Sequence, residues 1–217
     1  VAVVFSLVTR RLYLCVGIRA DMATFLPAVL RGGVDVVQLR EKLRPPSAQL
    51  DQARQMAPIC RDFDVPFIIN DSPELALEAR ADGVHVGQDD TSVTHCREVL
   101  GSDAIVGLST HSSTELDQAL LEDATYLSAG PIEPTPTKAG RAGTGIDYAV
   151  ESQARSPKPV FVTGGVTADN VASLVAAGLR HFVVVRALTE SDSPERASRE
   201  LRRALDVALS AVSVEPT

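Results

Sequence analysis

One rhythm constrains this chain more than any other feature: short apolar runs alternate with longer stretches of helical spacing. The runs are LYLCV (12–16), VDVVQLR (34–40), PFIIN (66–70), GVHVG (83–87), AIVGLST (104–110), YLSAG (126–130), PVFVTGG (159–165) and FVVVRA (182–187). Each is brief, rich in Val and Ile, and bounded by Gly, Pro, Asn or Asp, the pattern of strands buried on both faces of a parallel sheet. The helical stretches fall at 21–31, 48–63, 73–81, 93–100, 114–122, 146–154, 168–177 and 194–212. In the last of them Ala197, Leu201, Ala204, Leu205 and Leu209 recur at helical spacing and mark one buried face. Eight strand-then-helix units predict an α/β fold, a single (β/α)8 TIM barrel, and 217 residues is near the short end for that architecture. The alternative is an open doubly wound sheet, but no G-x-G-x-x-G follows the first run.

No linker or composition break divides the chain. The barrel is expected over 11–212, with 1–10 as a leader or packed arm and 213–217 as a flexible tail. The opening VAVVFSLV is far shorter than the roughly 20 residues a membrane span needs, and no basic segment precedes it as in a signal peptide. A net charge of −7 argues against a nucleic-acid surface, which requires clustered positive charge. It is compatible with an anionic small molecule held by a few local cations. Cys15, Cys60 and Cys96 are odd in number and form no C-x-x-C pair, which reads as a reduced, cytoplasmic protein with buried thiols. An outer helix face offers a surface for a homo-oligomer.

In a barrel of this kind, residues at the C-terminal ends of the strands share one site. The second run ends in Gln38, Arg40, Glu41 and Lys42; the third in Asn70 and Asp71; the fourth in His85, Gln88, Asp89 and Asp90; the fifth in Ser109 and His111. The sixth opens into AGPIEPTPTKAGRAGTG (129–145), which carries Thr135, Thr137 and Lys138. The last two end in TGGVT, with Gly164 and Gly165, and in VVVRAL, with Val185 and Arg186. Taken singly, any of these charges reads as a solvated loop residue, and exposed ion pairs contribute little. Taken together, Asp71 and Asp90 beside Arg40, Lys42 and Lys138 read as a Mg2+–pyrophosphate site. Mg2+ is held by one or two carboxylates plus water and phosphate oxygens, and Arg and Lys grip the remaining oxygens. Gly164 and Gly165 allow close backbone approach to a second anion, a monophosphate, with Arg186 as a further charged contact. The Pro- and Gly-rich segment 129–145 is expected to be a lid whose Lys138 reaches the pyrophosphate. Of the histidines, His85 is expected in a packed or hydrogen-bonded role, His111 near the site mouth, and His95 and His181 as structural or exposed; none has zinc-site spacing.

The ordered series QLREK, IIND, GVHVGQDD, GLSTHS, AGPIEPTPTK and TGGVTADN resembles the thiamine phosphate synthase family from about residue 11 to 212. That resemblance implies a transferase of thiamine biosynthesis. Its small-molecule substrates would be 4-amino-2-methyl-5-hydroxymethylpyrimidine diphosphate and a thiazole monophosphate, and its products thiamine monophosphate and pyrophosphate. It implies that Gln38, Arg40, Lys42 and Asn70 meet the pyrimidine diphosphate, that Asp71 and Asp90 bind Mg2+, and that Ser109 and Lys138 hold the pyrophosphate. Arg40, Lys42, Ser109 and Lys138 would then be the catalytic set. Thr135 and Thr137 would line the thiazole side, with Gly165, Val185 and Arg186 at the thiazole phosphate. Arg186 is a departure, because relatives commonly carry a small Ser there. Two other readings share the fold: a thiazole phosphate tautomerase, and a non-catalytic sensor of phosphorylated ligands.

Overall fold

Parity along each strand sorts the side chains to two sides of a closed sheet. In the computed structural model, which describes residues 5–134 and 142–213, the strands are β1 (Leu12–Val16), β2 (Val36–Leu39), β3 (Phe67–Asn70), β4 (Gly83–Val86), β5 (Ile105–Thr110), β6 (Tyr126–Ala129), β7 (Val160–Val162) and β8 (His181–Val184). Each pairs in parallel with the next, and β8 pairs with β1. Leu14, Val37, Ile69, Val84 and Leu127 share one large apolar cluster with Phe25, Leu26, Met56, Leu201 and Leu205 of the surrounding helices. The alternate residues Tyr13, Val36, Ile68, Ile105, Tyr126 and Phe161 form a second cluster. Leu7, only 3% exposed, joins them from the segment before β1. Phe161 packs edge-on against both tyrosines, with ring centroids 5.3 and 5.4 Å away. Further along the same strands, towards their C-terminal ends, the residues of this parity become polar: Gln38, Asn70, His85, Ser109 and Ser128, all buried. The apolar plug thus floors a polar-lined space.

The helices are α1 (Met22–Arg31), α2 (Pro46–Asp62), α3 (Pro73–Ala79), α4 (Val93–Leu100), α5 (Ser113–Leu121), α6 (Gly145–Arg155), α7 (Val171–Ala176), α8 (Arg186–Thr189) and α9 (Pro194–Ser213). Serines start three of them: Ser72, Ser92 and Ser112 accept hydrogen bonds from the backbone N–H of Leu75, His95 and Glu115. These caps set how much chain separates a strand end from its helix. Asp71, for example, is the only residue between the end of β3 and the cap of α3.

The closed parallel barrel agrees with the sequence reading, with differences at the element ends. VDVVQLR contracts to four strand residues and PVFVTGG to three. β7 stops because Gly164 and Gly165 take φ values of 95° and 75°, outside the strand region. The run FVVVRA was read as strand through residue 187, yet the chain leaves the sheet after Val184 and Arg186 opens the short helix α8. Apolar β-branched residues look alike in either setting, and the turn at Val185 (φ −126°, ψ −87°) has no composition marker. No described helix is long and apolar enough to cross a membrane.

Candidate active site

The polar space above the plug is a cavity of about 320 Å3 at the C-terminal ends of the strands. On one side it is lined by Gln38, Arg40, Asn70, His85 and Ser109, from β2 to β5 and the turn after β2. On the other it is lined by Gly164, Gly165, Val185 and Arg186. Residues far apart in sequence converge here because every second position near a strand's C-terminal end points the same way. The sequence reading had named seven of these nine as substrate contacts; it placed His85 in a hydrogen-bonded role and gave Gly164 a part in the backbone approach to an anion. It missed Tyr13, Tyr126, Ser128 and Thr163, which also line the cavity. Their signal was inward parity on apolar strands, an O–H where a hydrophobe suffices for packing.

Beside the cavity lies a more open groove lined by Glu41, Lys42 and Asp71, which shares Asn70 with it. Lys42 Nζ pairs with Asp71 Oδ2 at 2.9 Å. Asp71 sits in a left-handed conformation (φ 67°), fixed by its N–H donating to the His85 carbonyl at 2.8 Å. Burial lifts the Asp71 carboxyl above the usual carboxylate range, the Lys42 ammonium opposes that, and the neighbouring Asp90 carboxylate adds to it. Asp90 is held in turn by the Gly87 N–H, which donates to its Oδ2 at 2.8 Å. Two carboxylates are therefore brought together against their mutual repulsion. Among the described residues no three His, Cys, Asp or Glu side chains cluster as a metal site. A pair of hard oxygen ligands still fits Mg2+, which takes the rest of its shell from water and phosphate.

The far side is shaped by backbone. Asn70 has a counterpart there in Asn170, whose Nδ2 donates to the Gly165 carbonyl at 2.7 Å and whose Oδ1 accepts from Thr167 N–H at 2.9 Å. A side chain at Gly165 would meet Glu133 Oε2 within 2.5 Å, and the positive φ disfavours any L residue. Arg186 is exposed at the rim. The expected contacts Thr135, Thr137 and Lys138 lie outside the described residues, as does the middle of the expected lid. Its base is anchored: Ile132 N–H donates to the Thr163 carbonyl at 2.7 Å, and Thr144 N–H to the Pro131 carbonyl at 2.8 Å.

The other candidates from the sequence separate cleanly. His85 is buried and hydrogen-bonded. His111 binds Glu115, its Nδ1 2.9 Å from Oε2. His95 is exposed between Glu74 and Glu98, and His181 lies at the opposite end of the barrel, against Arg10 and Arg11. All three cysteines are buried, and burial raises the Cys60 and Cys96 thiols above their ordinary range.

The sequence matches the family described as thiamine monophosphate synthase over residues 9–188. It is 38% identical over 195 residues to the thiamine-phosphate synthase of Thermosynechococcus vestitus, covering 90% of this chain but 56% of that longer one, so this chain spans little more than half of that relative. It is 40% identical over 208 residues to the thiamine-phosphate synthase of Acidothermus cellulolyticus, covering 94% of this chain and 98% of the relative. The thiamine phosphate pyrophosphorylase of Pyrococcus furiosus superposes with a TM-score of 0.82 at 26% identity, covering 92% of this chain and 96% of that one. A 3-hexulose-6-phosphate synthase superposes with a TM-score of 0.67 at 15% identity over 90% of this chain and 99% of its own, a likeness of fold alone. The family match runs from before β1 through Arg186, across every strand end that lines the cavity; the chain belongs to the thiamine monophosphate synthase family.

Proposed function

We propose that this chain joins 4-amino-2-methyl-5-hydroxymethylpyrimidine diphosphate to a thiazole monophosphate, forming thiamine monophosphate and pyrophosphate. One observation carries the reading: a single cavity has cationic and amide side chains on its β2–β5 side and a glycine-turned backbone with Arg186 on its β7–β8 side. That arrangement suits two substrates, each with its own anionic group, brought end to end.

In the proposed reaction the bond between the pyrimidine methylene and the diphosphate oxygen breaks, and its electron pair leaves on oxygen. The electron-rich aminopyrimidine stabilises the cation left behind. The thiazole nitrogen supplies its lone pair for the new C–N bond, so no protein nucleophile is required. The chain's tasks are to neutralise the leaving group, align the reactants and exclude water. Gln38 and Asn70 would orient the pyrimidine; Arg40, Lys42 and Ser109 would bind the diphosphate, joined by Lys138. Gly165 and Val185 would offer backbone groups, and Arg186 its guanidinium, to the thiazole phosphate, with Thr135 and Thr137 on the thiazole side. Asp71 and Asp90 would hold Mg2+, which when bound supplies positive charge to the departing pyrophosphate. Lys42 then has two partners to choose between, Asp71 and the diphosphate, and substrate entry would draw it from the first towards the second.

The test is to supply both substrates with and without Mg2+ and to follow thiamine phosphate and pyrophosphate together. Equal, Mg2+-dependent formation of both is expected. Thiazole phosphate binding with neither product would overturn the synthase reading and favour a tautomerase or sensor.

A further inference from the structure

Along the cavity wall, a hydrogen-bonded chain crosses the barrel from β2 to β5. Gln38 Nε2 donates to Tyr13 Oη at 2.9 Å. The Tyr13 and Tyr126 hydroxyls lie 2.9 Å apart. Tyr126 Oη is 2.9 Å from His85 Nδ1, and His85 Nε2 is 2.8 Å from Ser109 Oγ. All five residues are at most 9% exposed. Gly107 makes the room: a Cβ there would fall 2.2 Å from Tyr126 Cζ and 2.4 Å from His85 Nδ1. The ends of the chain, Gln38 and Ser109, are substrate contacts under the function proposed above, and the inference rests on that reading.

Two orders of hydrogens are open to this chain, because either tyrosine hydroxyl and either ring nitrogen of His85 can be the donor. Cys15 Sγ donates to Gln38 Oε1 at 3.4 Å, which turns the amide NH2 towards Tyr13. Burial holds both phenols above the usual tyrosine range, so each keeps its single O–H. In the order that lets each tyrosine hydroxyl accept one hydrogen and donate one within the chain, Tyr13 Oη accepts from Gln38 and donates to Tyr126, which donates to His85 Nδ1. A neutral imidazole that accepts at Nδ1 carries its proton on Nε2, and that N–H donates to Ser109 Oγ. The Ser109 hydrogen is then left to face the cavity. The opposite order would make Tyr13 Oη accept twice, put its hydrogen outside the chain, and turn the Ser109 hydrogen inward, presenting a lone pair to an anion.

We propose that Tyr13, Tyr126 and His85 are positioning residues that fix His85 as the Nε2–H tautomer and thereby hold Ser109 as a hydrogen-bond donor to the leaving diphosphate, while steadying Gln38 for the pyrimidine. They act through Gln38 and Ser109 and carry no bond-making step themselves. A purely structural role for the chain would leave the tautomer and the Ser109 contribution uncoupled.

The experiment has two readouts. In protein labelled with 15N at histidine, His85 is expected to show an unprotonated Nδ1 and a protonated Nε2, and Tyr126→Phe is expected to abolish that preference. In turnover, Tyr126→Phe should lower kcat about 10-fold or more and leave half-saturation by thiazole phosphate within about 3-fold, and in a Ser109→Ala background its effect on kcat should shrink to about 2-fold or less. Thermal unfolding monitors folding; if Tyr126→Phe does not fold, Tyr13→Phe breaks the same chain one link further out and should give the same loss. A wild-type His85 protonated on Nδ1, or Tyr126→Phe and Ser109→Ala effects that simply multiply, would overturn the proposal. Absence of turnover in the wild type would instead sink the synthase reading, and the tautomer readout would still judge this one.

Discussion

His181 shows how much one buried polar side chain can decide. Its Nδ1 donates to the Arg10 carbonyl, and Arg11 Nη1 approaches Nε2 at 3.1 Å. Burial and the adjacent Arg11 lower its pKa from 6.5 to about 4, the bond to Arg10 only partly opposing them. Between those values the unfolded chain binds a proton that the folded chain refuses, so stability is full above pH 6.5 and falls as the pH drops towards 4. The slope from this one residue is at most about 1.4 kcal/mol per pH unit. His181→Gln should flatten the pH dependence of urea unfolding across that window relative to wild type; equal slopes would show that His181 is not held neutral. Gly107 makes the complementary case. Its replacement by Ala should destabilise by about 1–3 kcal/mol through overpacking against Tyr126 and His85, read as a lowered urea midpoint. Neither role was legible in the sequence. A histidine and a glycine in strands carry no mark of which neighbours close over them.

At the scale of elements, the strand-end motifs were legible because a parallel barrel forces them together: QLREK, IIND and GLSTHS each place a polar residue at inward parity just as the strand ends. The β8 end was misread, since a run of valines gives no sign of where α8 begins. The β3–α3 junction was read well for a physical reason. The strand ends at Asn70, the helix cap is Ser72, and Asp71 has nowhere to go but the rim. Two predictions belong to this junction. Ser72→Ala should cost about 1 kcal/mol in stability by removing the cap to Leu75, measured by thermal or urea unfolding, with turnover per folded molecule reduced only modestly. Asp71→Asn should do the reverse, lowering turnover by about 100-fold at limiting Mg2+ while changing stability by less than about 1 kcal/mol, because the Lys42 pair it breaks is partly exposed. Wild-type turnover for Asp71→Asn at limiting Mg2+ would show that Asp71 does not hold the metal.

For the whole molecule, one barrel separates its labours along its axis. Apolar inward residues and Leu7 plug one end, and polar inward residues furnish the other. The alternation that builds the sheet therefore also builds the cavity, which explains why the fold and the polar strand ends that line the cavity could both be read from the same runs. The hydrogen-bonded chain between them could not be read that way, because it joins β1, β2, β4, β5 and β6 through side chains whose partners only the closed barrel specifies. The central claim is that this cavity has two ends with separate substrates. The most direct test is a two-substrate saturation experiment on Arg40→Ala and Arg186→Ala, with each substrate varied against the other. Loss of one charged phosphate contact corresponds to roughly a 10- to 100-fold rise in half-saturation. Arg40→Ala is predicted to raise it for the pyrimidine diphosphate alone, and Arg186→Ala for the thiazole phosphate alone. If both variants weaken the same substrate, or each weakens both equally, the two-ended cavity is wrong.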